Sequence, residues 1–188
     1  MRIVGGRFKG RGLKSPSSSV VRPTSDRLRE TIFNILAHTY DGVLEDARVL
    51  DLFAGTGALG LEALSRGGSY GLFVDDSSEG RALLRANIET LGLAGVTRIF
   101  RSDATKLGPM PKQAAFTLAF LDPPYGKNLA ERALIGLHMG GWLAQGALCI
   151  VEEEAAAEVP LPEGFMQLDR RVTGDTQMLI LRYTSTAP

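Results

Sequence analysis

Cysteine is nearly absent from this chain. Its 188 residues include one, Cys149, and two histidines, His38 and His138. A single thiol excludes a disulfide framework, and no pair of CxxC motifs exists to hold zinc, so no metal site is expected. The histidines lie far apart in sequence and lack candidate ligands beside them. No apolar run approaches the roughly 20 residues needed to span a bilayer. The opening MRIVGGRFKGRG carries charge but no apolar stretch of the signal-peptide type. The reducing cytoplasm is the expected compartment. Tryptophan occurs once; Trp142 follows Gly140 and Gly141 and is expected to pack, as is Cys149 in its apolar strand. An excess of either charge is also missing, with 21 Lys plus Arg against 21 Asp plus Glu. What remains is globular in proportion: 44% apolar and 22% charged residues. The length fits one domain, 1–188, able to bury a full core without staples.

The neutral total hides an asymmetry. Residues 1–30 hold eight basic residues and two acidic ones, a net of +6; the whole chain is neutral, so residues 31–188 carry −6. Residues 1–24 therefore read as a basic N-terminal arm suited to phosphates. Their glycines and the run Ser17–Ser19 suggest an extended or hairpin-like segment with a flexible middle. A helix follows over 25–40, with Thr24 or Ser25 as its cap and Leu28, Ile32, Ile35 and Leu36 at helical spacing.

From there strands and helices alternate. Strands are expected at 47–53, 69–75, 96–102, 116–122 and 146–153, then an antiparallel pair from FMQLDRRV and QMLILRY. Helices follow the Gly-rich turn, Ser77 or Ser78, and Asn128, which with Glu131 resembles a capping pair. The alternation implies βαβ units in a seven-stranded, mostly parallel α/β sheet with helices on both faces and an antiparallel C-terminal pair. Ligands of such sheets sit at the carboxyl ends of the strands. That rule selects Asp51–Gly57, Asp75, Asp103 and Asp122–Tyr125.

DLFAGTGALG places Gly55, Gly57 and Gly60 after a strand and before a helix, a formal GxGxxG. Two ligand classes compete for such a turn. A dinucleotide would set its pyrophosphate on the helix N-terminus. S-adenosylmethionine has no phosphate but carries a sulfonium and an ammonium. Asp51, at the end of the first strand, repels the former and suits the latter. Asp75 can accept from ribose hydroxyls in either case. Asp103 can accept from an adenine amino group; turn or cap duty is the alternative for both acids, but their occurrence in series with Asp51 favours ligand binding.

Asp122-Pro123-Pro124-Tyr125 is the most informative tetrapeptide. A base amino group is a poor nucleophile, because its lone pair is delocalised into the ring. The Asp122 carboxylate and the Pro123 carbonyl are acceptors that favour a pyramidal nitrogen, and the prolines hold them in place. Tyr125 can stack on the base, worth about 1–3 kcal/mol. The base must be splayed out to reach such a pocket.

DLFAGTG, Asp75, Asp103 and DPPY together resemble a Rossmann-like class I S-adenosylmethionine-dependent amino methyltransferase. GGRFKGRGL and RPTSDRLRETIFNIL narrow the resemblance to the bacterial family that methylates the exocyclic N2 of a guanine in 16S ribosomal RNA of the small subunit. It runs nearly end to end, with GLEALSRG and GWLAQGALCIVE included. By that resemblance Asp51, Ala54, Gly55, Gly57, Asp75 and Asp103 bind the methyl donor, and Asp122, Pro123, Pro124 and Tyr125 hold the target amine. Arg7, Lys9, Arg11, Arg22 and Thr24 would face the RNA. The family often has Glu where this chain has Asp75. An adenine-amino methyltransferase acting on DNA or another RNA, a nicotinamide oxidoreductase and a non-catalytic RNA-binding module are the alternatives. Nothing in the sequence demands a dimer, and a monomer is expected.

Overall fold

The computed structural model describes residues 1–16 and 25–185. Among them seven strands form one sheet: β1 (Arg48–Leu52), β2 (Tyr70–Val74), β3 (Thr97–Phe100), β4 (Phe116–Leu121), β5 (Leu143–Glu154), β6 (Phe165–Thr173) and β7 (Thr176–Tyr183). Their order is β3-β2-β1-β4-β5-β7-β6. The first five pair in parallel, whereas β7 runs antiparallel to both β5 and β6. The chain moves outward from β1 through β2 to β3, then returns to β4 on the other side of β1. That reversal opens a crevice at the carboxyl ends of β1 and β4.

Alternation along the strands divides the core. Val49, Leu118, Phe120, Leu148 and Ile150 pack beside Ile32, Phe33 and Leu36 of α1 (Asp26–Thr39) and Leu59 and Ala63 of α2 (Ala58–Ser65). Phe73 joins Leu61 and Leu64 of α2 and Leu84, Ile88 and Leu91 of α3 (Ser78–Leu91). The intervening residues Leu50, Leu52, Ala119, Leu121, Cys149 and Val151 pack with Ala130, Ala133, Leu134 and Leu137 of α4 (Leu129–Met139). Both faces of the central strands are covered, which is why FTLAFL is apolar except for the exposed Thr117 near its start. Trp142 packs as expected, 1% exposed, with its indole N–H donating to the Gly108 carbonyl at 2.8 Å.

The expected elements shift where local chemistry intervenes. Ser25 caps α1, its hydroxyl accepting from the Leu28 N–H at 3.1 Å, and Ser77 caps α3 through the Gly80 N–H at 3.1 Å. Asn128 does not cap α4 with its side chain: its φ is 52°, left-handed, so the expected pair with Glu131 is not formed. β5 begins at Leu143, before the expected 146, because a bulge lets the register with β4 slip between Phe116 and Leu118.

The basic segment is a hairpin over its first thirteen residues, as its glycines suggested, and it is docked on the body. The Ile3 N–H donates to Arg11 O at 2.9 Å, Gly10 N–H to Ile3 O at 2.8 Å and Leu13 N–H to Met1 O at 3.0 Å. Ile3 and Leu13 are buried against α2 and α3. Gly6, with φ of 74°, lies so close to α2 that a Cβ would stand 2.0 Å from the Ser65 carbonyl oxygen. Glu62, fully buried, accepts from the Val4 N–H and from Arg66 at 2.9 and 2.8 Å. Asn87 accepts from the Lys14 N–H at 2.7 Å and donates to Lys14 O and Thr56 O at 3.1 and 2.9 Å, tying the hairpin to the glycine-rich turn. Ser17–Ser19, Arg22 and Thr24 lie outside the described residues.

Candidate active site

A cavity of about 900 Å³ occupies the crevice. Its walls come from loops that follow β1, β2, β3 and β4, together with Glu152 near the end of β5, Thr176 at the start of β7, and Ser25 and Leu28 at the start of α1. The sheet therefore gathers acids that are far apart in sequence: Asp51, Asp75, Asp103 and Asp122 all line it. Ala54, Gly55, Pro123, Pro124 and Tyr125 line it too. Gly57 does not; it caps α2 in a left-handed conformation, its N–H donating to Ala54 O at 2.7 Å. Arg7, Lys9 and Arg11 are exposed on the hairpin, away from the cavity wall. The Arg7 guanidinium lies over the Phe8 ring at 4.6 Å, and Arg11 donates to Thr90 O at 2.9 Å.

The turn after β1 is shaped by conformation and by close approach. Phe53 has a φ of 61°, rare for a bulky residue and costing of order 1–3 kcal/mol. It turns the chain sharply after Leu52 and leaves the Phe53 side chain on the cavity wall. Gly60 sits where a Cβ would meet the Phe73 ring at 2.4 Å and Asp51 Oδ2 at 3.0 Å. Only glycine lets α2 come down onto the strand. Its N–H then donates to Asp51 Oδ2 at 2.9 Å.

Asp51, Asp75 and Asp103 are held differently. Asp51 is 2% exposed, and burial pushes its carboxyl well above the usual range, with Asp122 and Asp75 adding repulsion against the relief from the Gly60 N–H. Asp75 is held by the backbone: Oδ2 accepts from Gly55 N–H at 2.7 Å and Oδ1 from Ser77 N–H at 2.8 Å. Asp103 Oδ1 accepts from the Thr105 hydroxyl and N–H at 2.7 and 2.8 Å, and these bonds hold its carboxyl below the usual range. Each carboxylate offers about four acceptor sites, so these contacts do not exhaust it.

Tyr125 is clamped. Its hydroxyl donates to Glu152 Oε1 at 2.9 Å and shares a hydrogen bond with Thr176 Oγ1 at 3.1 Å. Burial raises its phenol above the ordinary value, and the Glu152 charge adds to the rise. Glu152, Thr176 and Lys127 are wall residues that sequence reasoning missed. Glu152 had a signal, since it stands near the carboxyl end of a parallel strand. Thr176 had none, because it enters from the antiparallel β7.

The sequence profile of a family described as "Conserved hypothetical protein 95" matches residues 1–182. The chain belongs to that family. A relative from Escherichia coli, named ribosomal RNA small subunit methyltransferase D, is 42% identical over 161 residues, covering 85% of this chain and 78% of that protein. One of the same name from Haemophilus influenzae is 36% identical over 176 residues, covering 93% and 89%. The solved structure of Escherichia coli yhhF, provisionally assigned as a methyltransferase, superposes with a TM-score of 0.84 at 34% identity over 99% of each chain. The fold of this family member is thus that of the Rossmann-like methyltransferases, as its motifs implied. No described helix is long and apolar enough to cross a membrane.

Proposed function

We propose that this protein methylates the exocyclic N2 of a guanine in 16S ribosomal RNA, with S-adenosylmethionine as donor and a single copy of the chain as the working unit. The observation that carries the reading is that the acids of the glycine-rich side and the DPPY turn share one cavity. The names of the relatives support small-subunit ribosomal RNA as the substrate.

The cavity suits the donor in size and chemistry. About 900 Å³ lies within the usual range for a ligand of that mass. An acid-rich wall suits a cation and opposes a pyrophosphate. Asp51 would face the cationic methionine part, Ala54 and Gly55 its backbone-lined bed, with Gly57 shaping the turn from behind. Asp75 would take the ribose hydroxyls and Asp103 the adenine amino group. When bound, S-adenosylmethionine supplies an activated methyl group on a sulfonium that leaves without acid assistance.

The chain's own residues prepare the amine. Asp122 and the Pro123 carbonyl accept its N–H groups, which localises the nitrogen lone pair. Pro123 and Pro124 hold those acceptors still. Tyr125, fixed by Glu152 and Thr176, presents its ring to the base. Alignment of nitrogen and methyl carbon supplies much of the rate, and the acidic ammonium formed loses its proton without a strong base. Arg7, Lys9, Arg11, Arg22 and Thr24 would engage the RNA beyond the cavity.

The test is transfer of labelled methyl from S-adenosylmethionine to small-subunit particles from cells lacking this protein, followed by nucleoside mass spectrometry. N2-methylguanosine is expected; N6-methyladenosine in its place would overturn the choice of base. Asp122→Ala is expected to bind the donor normally and to lose most turnover, and near-normal turnover would remove the role assigned to Asp122.

A further inference from the structure

The cavity wall is one-sided in charge. Among the described residues seven acids line it, Asp76 and Glu79 with the five named above, against a single Lys or Arg, Lys127. Such a wall suits a cationic donor. A nucleic acid carries a negative charge on every phosphate, and an acid-lined mouth repels it. Arg7, Lys9 and Arg11 do not relieve that repulsion at the cavity itself, because they stand away from its wall.

Lys127 is placed to do so. It stands two residues beyond Tyr125, and both line the cavity, as does Leu129 at the start of α4. Gly126 before it and Asn128 after it are left-handed, with φ of 74° and 52°. Lys127 thus lies in a tight turn between DPPY and α4. The Gly126 N–H donates to Oε1 of Glu153, which is 3% exposed, at 3.3 Å. Tyr125 is tied to the preceding residue of the same strand, Glu152. The foot of the lysine and the tyrosine hydroxyl are therefore both anchored to β5. Lys127 itself is exposed and takes part in no ion pair among the described residues.

The proposed reaction brings two kinds of anion to the cavity, the donor's carboxylate and the phosphodiesters of the RNA. The carboxylate belongs to the methionine part, which the reading above sets by Asp51 and the turn after β1. A phosphodiester fits Lys127 better. When a nucleotide is splayed out, its base enters the pocket while its charged backbone stays in water at the rim. A base stacked on Tyr125 leaves its flanking phosphates beside an exposed cation two residues from that ring. A lysine binds such a group as a point charge on a flexible stem.

We propose that Lys127 holds a phosphodiester flanking the target nucleotide and so steadies the splayed base against Tyr125. The proposal rests on the amino-methyltransferase reading above and extends it from the base to the backbone.

The experiment compares the unaltered protein with Lys127→Gln and Lys127→Arg on small-subunit particles from cells lacking this protein. Lys127 is exposed, so both variants should keep the parent's Tm. The contact forms only once the base is splayed out, so its loss should fall on kcat and leave KM nearly unchanged. Lys127→Gln is expected to lower kcat by roughly tenfold at low salt. The slope of log kcat/KM against log salt should become shallower by about 0.7–0.9, the share of one phosphate. Lys127→Arg should restore both rate and slope, and calorimetry should give all three proteins the same affinity for S-adenosylmethionine. Parent-like kcat and slope in Lys127→Gln would overturn the proposal. So would a raised KM with normal kcat, which would put the contact away from the target nucleotide. Weakened donor binding would assign Lys127 to the donor's carboxylate instead, and a loss that arginine does not rescue would make the lysine merely structural. Failure of the guanine-N2 reading shows separately, in the unaltered protein, as a different methylated nucleoside. The variants are then compared on that product, since every nucleotide brings a phosphate; transfer to no nucleic acid at all would overturn both.

Discussion

Asp51 is a buried carboxyl whose proposed role in donor binding would come at the expense of stability. Its carboxyl is raised because burial penalises the charge and two further acids stand near it. In the unfolded chain it ionises at an ordinary carboxylate pKa. Stability from this group is therefore fully present below that value and is lost as pH rises through the higher folded value. Asp51→Asn, which keeps an acceptor for the Gly60 N–H, should stabilise the donor-free protein at neutral pH. A gain of about 1 kcal/mol would read as roughly 2–4 °C in Tm for a chain of this length. The same substitution should weaken donor binding. A cationic ligand favours ionised Asp51, so donor affinity should increase as pH rises above the ordinary carboxylate range. Calorimetric titration across pH checks both points; a flat profile would mean that Asp51 does not meet the cation. Cys149 needs no such account, because burial pushes its thiol up to about 12 and leaves it an inert part of the core.

At the scale of elements, the hairpin expected from the glycines of residues 1–24 forms over residues 1–13, but charge patterning says nothing of its seat. Seven basic residues lie in the first 27, yet Val4, Gly6 and Ile3 are fitted to α2 and α3. The clue was present as spacing of small and apolar residues, but their partners are some 58 residues away in sequence. Gly6→Ala should destabilise the protein by more than about 1 kcal/mol, because alanine resists the positive φ and its Cβ meets the Ser65 carbonyl. Urea melts of the variant and the parent measure it, and an unchanged midpoint would mean the hairpin contributes nothing to folding. Ser25 and Ser77 were legible as caps because a cap acts within four residues. The bulge in β5 was not, since a bulge is a property of two strands.

For the whole molecule, the neutral total means that the proposed RNA affinity would depend on where its cations lie. Arg7, Lys9 and Arg11 present their charges from a hairpin seated on α2 and α3, the two helices that also border the cavity through Ala58, Leu59, Glu79, Gly80 and Leu83. If these three contact phosphates, replacing all of them by glutamine should reduce the slope of log affinity against log salt by about 2–3. Binding measured from low to moderate salt on the small-subunit particle checks this. An unchanged slope would place the RNA elsewhere, with the hairpin only supporting α2 and α3.

Periodicity and turn chemistry act over a few residues, so the alternation of elements, the seven strands, the glycine-rich turn and the DPPY turn could all be read from the chain before folding. The rule that ligands bind at the carboxyl ends of parallel strands even selected four of the acids that line the cavity. The raised pKa of Asp51, the clamp of Glu152 and Thr176 on Tyr125, and the docking of the hairpin could not be read that way. Each depends on distance and burial between residues brought together by the sheet order, and no local pattern encodes how far apart two distant segments will come to rest.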